Sequence, residues 1–310
     1  MTGTFILAMV LGYMAKRRGL LEARWARPIM VFAQKNLVPW VLLVSFWGLE
    51  LSFREIAWIP LLGLFVISFQ LWIAFLVMRA FSFTEGQKGA FLVGAIMSNV
   101  GFLGWSVNLS LFGQKGFDIA FAYSFYFVFS HYFIAYPVAA AFSSNEEVKR
   151  MGFIKRITIE GIFLRAVTGI VTGVALNLSP WAIPVPLSSL NRYLVILLTT
   201  VMMFAAGLTV NLGGYRRLVP PTLTISFIKL VLSPLLVCAF LSLSAAPAFQ
   251  DPLVAQVVMI QAMMPMAFAS MAISTLFYLD QDFVNIMWFA TTLLFFPALQ
   301  GFLFLARYLL

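Results

Sequence analysis

The few residues of this chain that could do chemistry are suited to holding an ion rather than breaking a bond. Met97-Ser98-Asn99-Val100-Gly101-Phe102-Leu103-Gly104 sets two polar side chains and two glycines inside an otherwise apolar run. Gly costs about 1 kcal/mol relative to Ala in a helix interior, and Ser and Asn bond neighbouring backbone, so the stretch predicts an unwound turn. Gln261-Ala262-Met263-Met264-Pro265-Met266-Ala267 interrupts a second apolar run, where proline removes a backbone donor and crowds the preceding turn. A broken helix presents N–H groups with partial positive charge where one half begins and carbonyls where the other ends, which suit an anion and a cation respectively. The candidate binding residues are therefore Ser98, Asn99, Gly101 and Gly104 at the first break, with Pro265 and Ala267 at the second.

Three basic residues also fall within or near apolar runs: Lys35 beside Asn36, Arg165, and Lys229. A charge at the centre of a bilayer costs about 2.5–3.5 kcal/mol even on permissive scales. Arg165 lies near the start of its run and can reach the water interface along its own stem. Lys229 is too deep for that, and joins the candidate site together with Lys35 and Asn36. No Asp or Glu stands deep in an apolar run: Glu160 is at an end, and Asp118, Asp280 and Asp282 are at loop edges. That argues against a proton or sodium site built on buried carboxylates and favours movement of an anion down its gradient, although backbone carbonyls can still hold a cation. His131, the sole histidine, stands in an aromatic run and reads as a packed, neutral side chain bonded to a backbone carbonyl, ahead of a proton relay. Cys238, the sole cysteine, reads as a small core residue, and one cysteine permits neither an intrachain disulfide nor a cysteine metal cluster.

The elements that must position these residues are membrane helices. Of 310 residues, 62% are hydrophobic and 10% are charged, against about 45–50% and about 25% in a soluble domain. Apolar runs divide the chain into ten expected spans, roughly 2–15, 27–49, 56–79, 88–113, 117–142, 159–179, 189–211, 218–244, 252–278 and 283–308. Backbone groups in lipid must be satisfied within the segment, so the runs are helices. The first is short against the ~20 residues that cross a bilayer. It is not read as a signal peptide, because its positive charges follow the apolar stretch. The net charge of +9 is concentrated in the short gaps, as topology signals are, and not in a nucleic-acid patch. Gaps after odd-numbered spans hold thirteen Lys and Arg, among them Lys16, Arg17, Arg18, Lys149, Arg150, Arg156, Arg216 and Arg217; gaps after even-numbered spans hold four, including Arg54. The alternation predicts a cytoplasmic-membrane protein with both termini outside.

The longest polar gap divides the chain into 1–143, a linker at 144–158 on the cytoplasmic side, and 159–310. Five spans on each side must insert with opposite orientation, the arithmetic of an inverted repeat. Ile67-Ser68-Phe69 echoes Ile225-Ser226-Phe227, and Asp118 with Pro137 echoes Asp282 with Pro297. Gly and Pro also serve as kinks or packing positions in membrane helices. Two interruptions at matching places in the two halves favour a binding site instead.

The chain resembles the auxin efflux carrier family, which includes plant auxin carriers and bacterial permeases for malate or malonate. The resemblance spans nearly the whole chain: Gly12-Tyr13 with Arg17-Arg18-Gly19-Leu20-Leu21, Ser98-Asn99-Val100-Gly101-Phe102-Leu103-Gly104, Lys229-Leu230-Val231-Leu232-Ser233-Pro234, and Pro265 with Thr291-Thr292-Leu293. It implies an all-α membrane fold of ten transmembrane helices in two inverted five-helix repeats, with broken helices 4 and 9 crossing near the substrate, like sodium/proton antiporters and bile-acid symporters. It also implies transport of a small organic anion, a carboxylate such as malate or malonate or an aromatic, auxin-like acid. The family pattern continues after its second glycine with an apolar residue and proline, whereas here Trp105-Ser106 follow Gly104.

The function expected is secondary transport by alternating access, with no cofactor. The expected partners are the anion and the bilayer, with a proton or sodium ion if transport is coupled; a homodimer is compatible with the sequence. Rival functions are a channel, a solute-sensing receptor of the same fold, and an intramembrane enzyme. One histidine and one cysteine without deep acids supply no catalytic set for the last.

Overall fold

The computed structural model describes residues 2–49, 58–152, 154–155, 161–209, 218–244 and 249–309. Arg54, Arg156, Glu160, Arg216 and Arg217, which entered the sequence reading, lie outside the described residues. The described residues contain no β-strand, and an isolated antiparallel bridge pairs Ser98 with Met266. In chain order the helices are α1 (Thr2–Arg17), α2 (Ala26–Phe32), α3 (Val38–Trp47), α4 (Trp58–Val77), α5 (Glu85–Ile96), α6 (Phe102–Tyr123), α7 (Tyr126–Phe129) and α8 (Tyr136–Ala141). There follow α9 (Glu146–Lys149), α10 (Ile162–Asn177), α11 (Val185–Thr209), α12 (Val219–Phe227), α13 (Ser233–Leu243), α14 (Pro252–Ala262), α15 (Ala269–Leu276) and α16 (Gln281–Leu309).

Among the described residues, six helical runs are long and apolar enough to cross a bilayer: Ala23–Trp47, Trp58–Ala80, Phe102–Ala141, Val185–Thr209, Val219–Leu243 and Gln281–Leu305. Four of the ten expected spans fall on shorter helices, two of which are cut short at the expected breaks, after Ile96 and after Ala262. The longest run turns within α6 at Gly113, whose φ of +66° lies in the left-handed region that favours glycine. α4 shows how such a run divides its surface. Trp58, Leu61, Phe65 and Trp72 form an exposed apolar stripe, while Ile59, Leu62, Val66, Ile67, Gln70 and Ala74 face inward. Large apolar groups turned outward are what an acyl-chain environment favours.

The chain forms two compact units, each drawing on both halves of the sequence: Met1–Glu50 with Met151–Asn211, and Leu51–Arg150 with Leu212–Leu310. In the first, α1 packs along α11 and α10 along α3. Both pairs close through glycine. A Cβ on Gly12 would strike the carbonyl oxygen of Phe204, one on Gly207 that of Met9, and Cβ atoms on Gly169 and Gly173 would strike the carbonyls of Pro39 and Leu43. Small residues spaced four apart let membrane helices approach backbone to backbone.

Among the described residues, three helical runs contain a π-helical turn: Ala33–Leu37 between α2 and α3, Ser130–Ala135 between α7 and α8, and Ile228–Leu232 between α12 and α13. Each ends two residues before a proline, Pro39, Pro137 or Pro234. In a regular helix the proline ring collides with the carbonyl four residues back. Here the residue just before each proline reaches five back instead: Val38 N–H to Ala33, Tyr136 to His131, and Ser233 to Ile228. The wider turn makes room for the ring, and Lys35, His131 and Lys229 each lie on one.

His131 is buried among Phe127, Tyr132 and Tyr136. Its packing follows expectation, but its Nδ1 has no hydrogen-bond partner. Cys238 is exposed and is not the core residue expected. Ser233, Pro234 and Val237 hold the buried face of α13, and the next position points away from it.

Candidate functional site

The site lies in the second unit and is built from two helices that stop early. α5 starts with Thr84, whose hydroxyl accepts from Gln87 N–H at 3.3 Å while Gln87 Oε1 accepts from Thr84 N–H at 3.2 Å. The same Gln87 donates to Asp280, whose carboxylate caps the start of α16 through Phe283 N–H. α14 is capped by Asp251, which accepts from Leu253 N–H at 2.8 Å. With their starts fixed, the two helices end at Ile96 and Ala262. Met97 is extended at φ −89°, ψ 102°, and the ring of Pro265 disfavours helical geometry in the residue before it.

The two non-helical segments satisfy each other. Asn99 N–H donates to the Pro265 carbonyl at 2.8 Å, and Ala267 N–H donates to the Met97 carbonyl at 2.7 Å. Met266 N–H donates to Thr291 Oγ1 at 3.2 Å. Ser98, Asn99, Pro265 and Ala267 are all buried, where irregular backbone is tolerated if protein groups pair with it.

Lys229 locks the first break. Its ammonium, wholly buried, donates to the Ala95 carbonyl and Ser98 Oγ at 2.8 Å each and to Gln70 Oε1 at 3.4 Å. Three N–H groups thus meet three oxygens. Ala95 belongs to the last turn of α5, whose carbonyls have no partner within the helix and carry partial negative charge, so a cation there completes the helix end. Gln70 Nε2 donates in turn to Ser233 Oγ at 2.8 Å, which donates to the Ile228 carbonyl across the π turn. On the far side of the break, Gln261 Nε2 bridges the carbonyls of Val100 and Ala120 at 3.1 and 2.9 Å. Gly104 lies against this amide, and a Cβ there would collide with Gln261 Oε1. Trp105, at the departure from the family pattern, donates its indole N–H to Ser124 Oγ at 3.0 Å.

Two features leave room for a ligand. Asn99 is 3% exposed, its Oδ1 accepts from Leu103 N–H at 3.4 Å, and its Nδ2 has no partner. Two residues on, a Cβ at the half-buried Gly101 would meet nothing closer than the Trp105 ring, at 3.9 Å. A buried unpartnered donor thus stands at the start of α6, where Leu103 N–H goes to Asn99 Oδ1, Gly104 N–H to the Asn99 carbonyl and Trp105 N–H to the Gly101 carbonyl.

Of the residues singled out in the sequence, Ser98 and Lys229 are in direct contact, Asn99 is bonded to Pro265, and Ala267 to Met97. Lys35 and Asn36 belong to the other unit. There the exposed Arg165 donates to the Lys35 carbonyl and to Asn36 Oδ1, at 3.4 Å each. Sequence reasoning missed Gln70, Gln261, Ser233 and Thr291 as structural members of the site. The available signal was a polar amide in the middle of an apolar run, as at Gln70 in α4.

A family model described as membrane transport protein matches residues 4–303. Among curated relatives, an "Uncharacterized transporter" of Methanothermobacter thermautotrophicus is 26% identical over 291 residues, covering 93% of this chain and 92% of that protein. A "Putative malonate transporter" of Rhizobium meliloti is 29% identical over 227 residues, 72% of this chain and 67% of the relative. With its apolar helices and paired breaks, the chain belongs to the membrane transport protein family, the auxin efflux carrier family whose motifs it carries.

Proposed function

We propose that the protein is a secondary transporter of a small organic anion, a dicarboxylate of malonate size, working by alternating access around the paired breaks. The observation that carries this reading is the unpartnered, buried Asn99 Nδ2 at the start of a half-helix, two residues from the uncrowded Gly101. The Asn99 amide, at the positive end of α6, would take a carboxylate. Ser98 and Lys229 already bond each other, which fits them to hold the break in shape. The malonate in the name of the Rhizobium relative agrees with this substrate class.

The architecture proposed is ten spans in two inverted five-helix repeats, the fourth and ninth crossing at their breaks, in the cytoplasmic membrane with both termini outside. Exchange symmetry supports it. If α1 corresponds to α10 and α3 to α11, the packing of α1 on α11 maps onto that of α10 on α3, and both pairs are joined through glycine. Ser68 and Ser226, equivalent in the repeat, each donate to the carbonyl four residues back at 2.8 Å.

The test is counterflow in proteoliposomes. Preloaded unlabelled malonate or malate is expected to accelerate uptake of the labelled acid, whereas currents beyond carrier turnover without counterflow would overturn the carrier in favour of a channel. Asn99→Asp, which keeps the oxygen facing Leu103 but replaces the donor with negative charge, is expected to weaken substrate binding at least tenfold, about 1.4 kcal/mol. Unchanged affinity in folded Asn99→Asp protein would remove Asn99 from the site.

A further inference from the structure

Trp105 stands one helical turn beyond Gly101, and its backbone N–H donates to the Gly101 carbonyl at 3.0 Å. A long side chain on a helix lies back over the turn that precedes it. The indole therefore covers Gly101, its six-membered ring lying 3.9 Å from where a Cβ of that glycine would stand. Carbon atoms at this separation are already in van der Waals contact. A methyl-sized group fits between the Gly101 backbone and the ring, and anything larger in that direction meets the indole edge. Gly101 is half-buried, whereas Trp105 is 6% exposed.

The ring is braced on several sides. Its N–H donates to Ser124 Oγ at 3.0 Å, and the Ser124 hydroxyl spends its own proton on the Phe121 carbonyl at 2.7 Å, which leaves the oxygen free to accept from the indole. The rings of Phe121, Phe117 and Phe102 surround it at centroid distances of 5.3, 6.0 and 6.1 Å. Phe117, Phe121 and Ser124 follow the turn at Gly113, so the indole bridges the first part of α6 to the chain that folds back beyond it. Swinging it aside would strand a buried indole N–H among apolar groups. We infer that Trp105 sets the size limit of the transported anion. The inference rests on the reading of Asn99 as the donor to a substrate carboxylate. An anion held there extends past Gly101, two residues on, and the indole edge closes that direction. A short dicarboxylate fits, while a longer chain or an aromatic acid must displace a braced ring; a site rejects larger analogues by such collisions. Trp105 thus acts as a specificity residue without holding the carboxylate itself.

The test is competition against counterflow of labelled malonate by the full chain in proteoliposomes, with malonate, succinate, glutarate, adipate and phenylacetate as competitors. Wild type is expected to rank them by length, with glutarate, adipate and phenylacetate weak. Trp105→Leu, which keeps an apolar side chain but removes the ring, is expected to improve glutarate and adipate about tenfold relative to malonate. Gly101→Ala adds a methyl group to the opposite wall without a clash and is expected to weaken succinate more than malonate. A wild type that accepts adipate as well as malonate would overturn the inference, and so would an unchanged ranking in folded Trp105→Leu. If Trp105→Leu does not fold, Gly101→Ala decides: selective loss of succinate supports the wall, and equal affinities for both acids refute it. Failure of the wall alone leaves malonate counterflow intact with only the ranking unmoved. Absence of malonate counterflow in the wild type would instead remove the reading of the site, and the size limit with it.

Discussion

In the first unit, the buried polar side chains among the described residues are Gln34, Ser45 and Thr199, and the helices close on one another through glycines. In the second, buried polar groups run from Gln70 through Ser98 and Lys229 to Ser233, and recur at Asn108, Gln261, Ser270, Ser274 and Thr291. Helices in lipid gain nothing from hiding apolar surface from each other, so they associate by close packing or by hydrogen bonds. The first unit uses mainly packing, which is rigid and needs few special groups. The second uses hydrogen bonds, some left incomplete: Ser270, Ser274 and Thr292 hold hydroxyls without partners, in addition to Asn99 Nδ2. Unmet polar atoms in a buried setting are costly; others stand away from the breaks, at His131 Nδ1 in the second unit and at Asn191 Oδ1 in the first.

That contrast can be broken most severely at Lys229. Lys229→Met would leave the Ala95 carbonyl, Ser98 and Gln70 without their common donor. A loss of about 3 kcal/mol is expected, seen as a lower melting temperature together with abolished counterflow; a variant that melts and transports like the wild type would show that the cluster is dispensable. Next in size, Gly169→Val in the first unit would collide with the Pro39 carbonyl. It is expected to cost about 1–3 kcal/mol while leaving substrate affinity of the folded fraction unchanged, so altered affinity would argue that the first unit also shapes the anion path. The smallest effect on stability is expected for Gly101→Leu, within about 0.5 kcal/mol, because Gly101 is half-buried and the space a Cβ would take there meets nothing closer than the Trp105 ring at 3.9 Å. Transport should nonetheless fall sharply by occlusion, and normal counterflow would mean that this space is not on the substrate path.

The breaks were legible because their cause is local: glycine, serine and proline act within a turn of where they stand. Asn99 and Pro265 were therefore found from sequence alone, but their bonding to each other was not, since partners more than 160 residues apart leave no mark in periodicity. Lys229 was marked by a charge deep in an apolar run. Its acceptors were harder to find, and Gln70 was not among the residues singled out. Arg165 shows a second limit. Sequence gives distance from a helix end but not which neighbour lies alongside, so the bonds of Arg165 to the Lys35 carbonyl and Asn36 Oδ1 were not foreseen. Cys238 failed for a related reason: an all-apolar run does not reveal which of its faces is inward.

The π turns have one more consequence. Each inserts a single residue into a helical run, and one residue advances a helix by about 100°. Everything after Leu37, Ala135 and Leu232 is thereby rotated in phase against what precedes it. Deleting one residue from such a turn would change the length of the span by only about 1.5 Å, yet it would swing the downstream faces by more than a quarter turn, presenting buried groups such as Ser233 toward lipid. In these spans, phase counts for as much as hydrophobicity in deciding which side chains meet the bilayer.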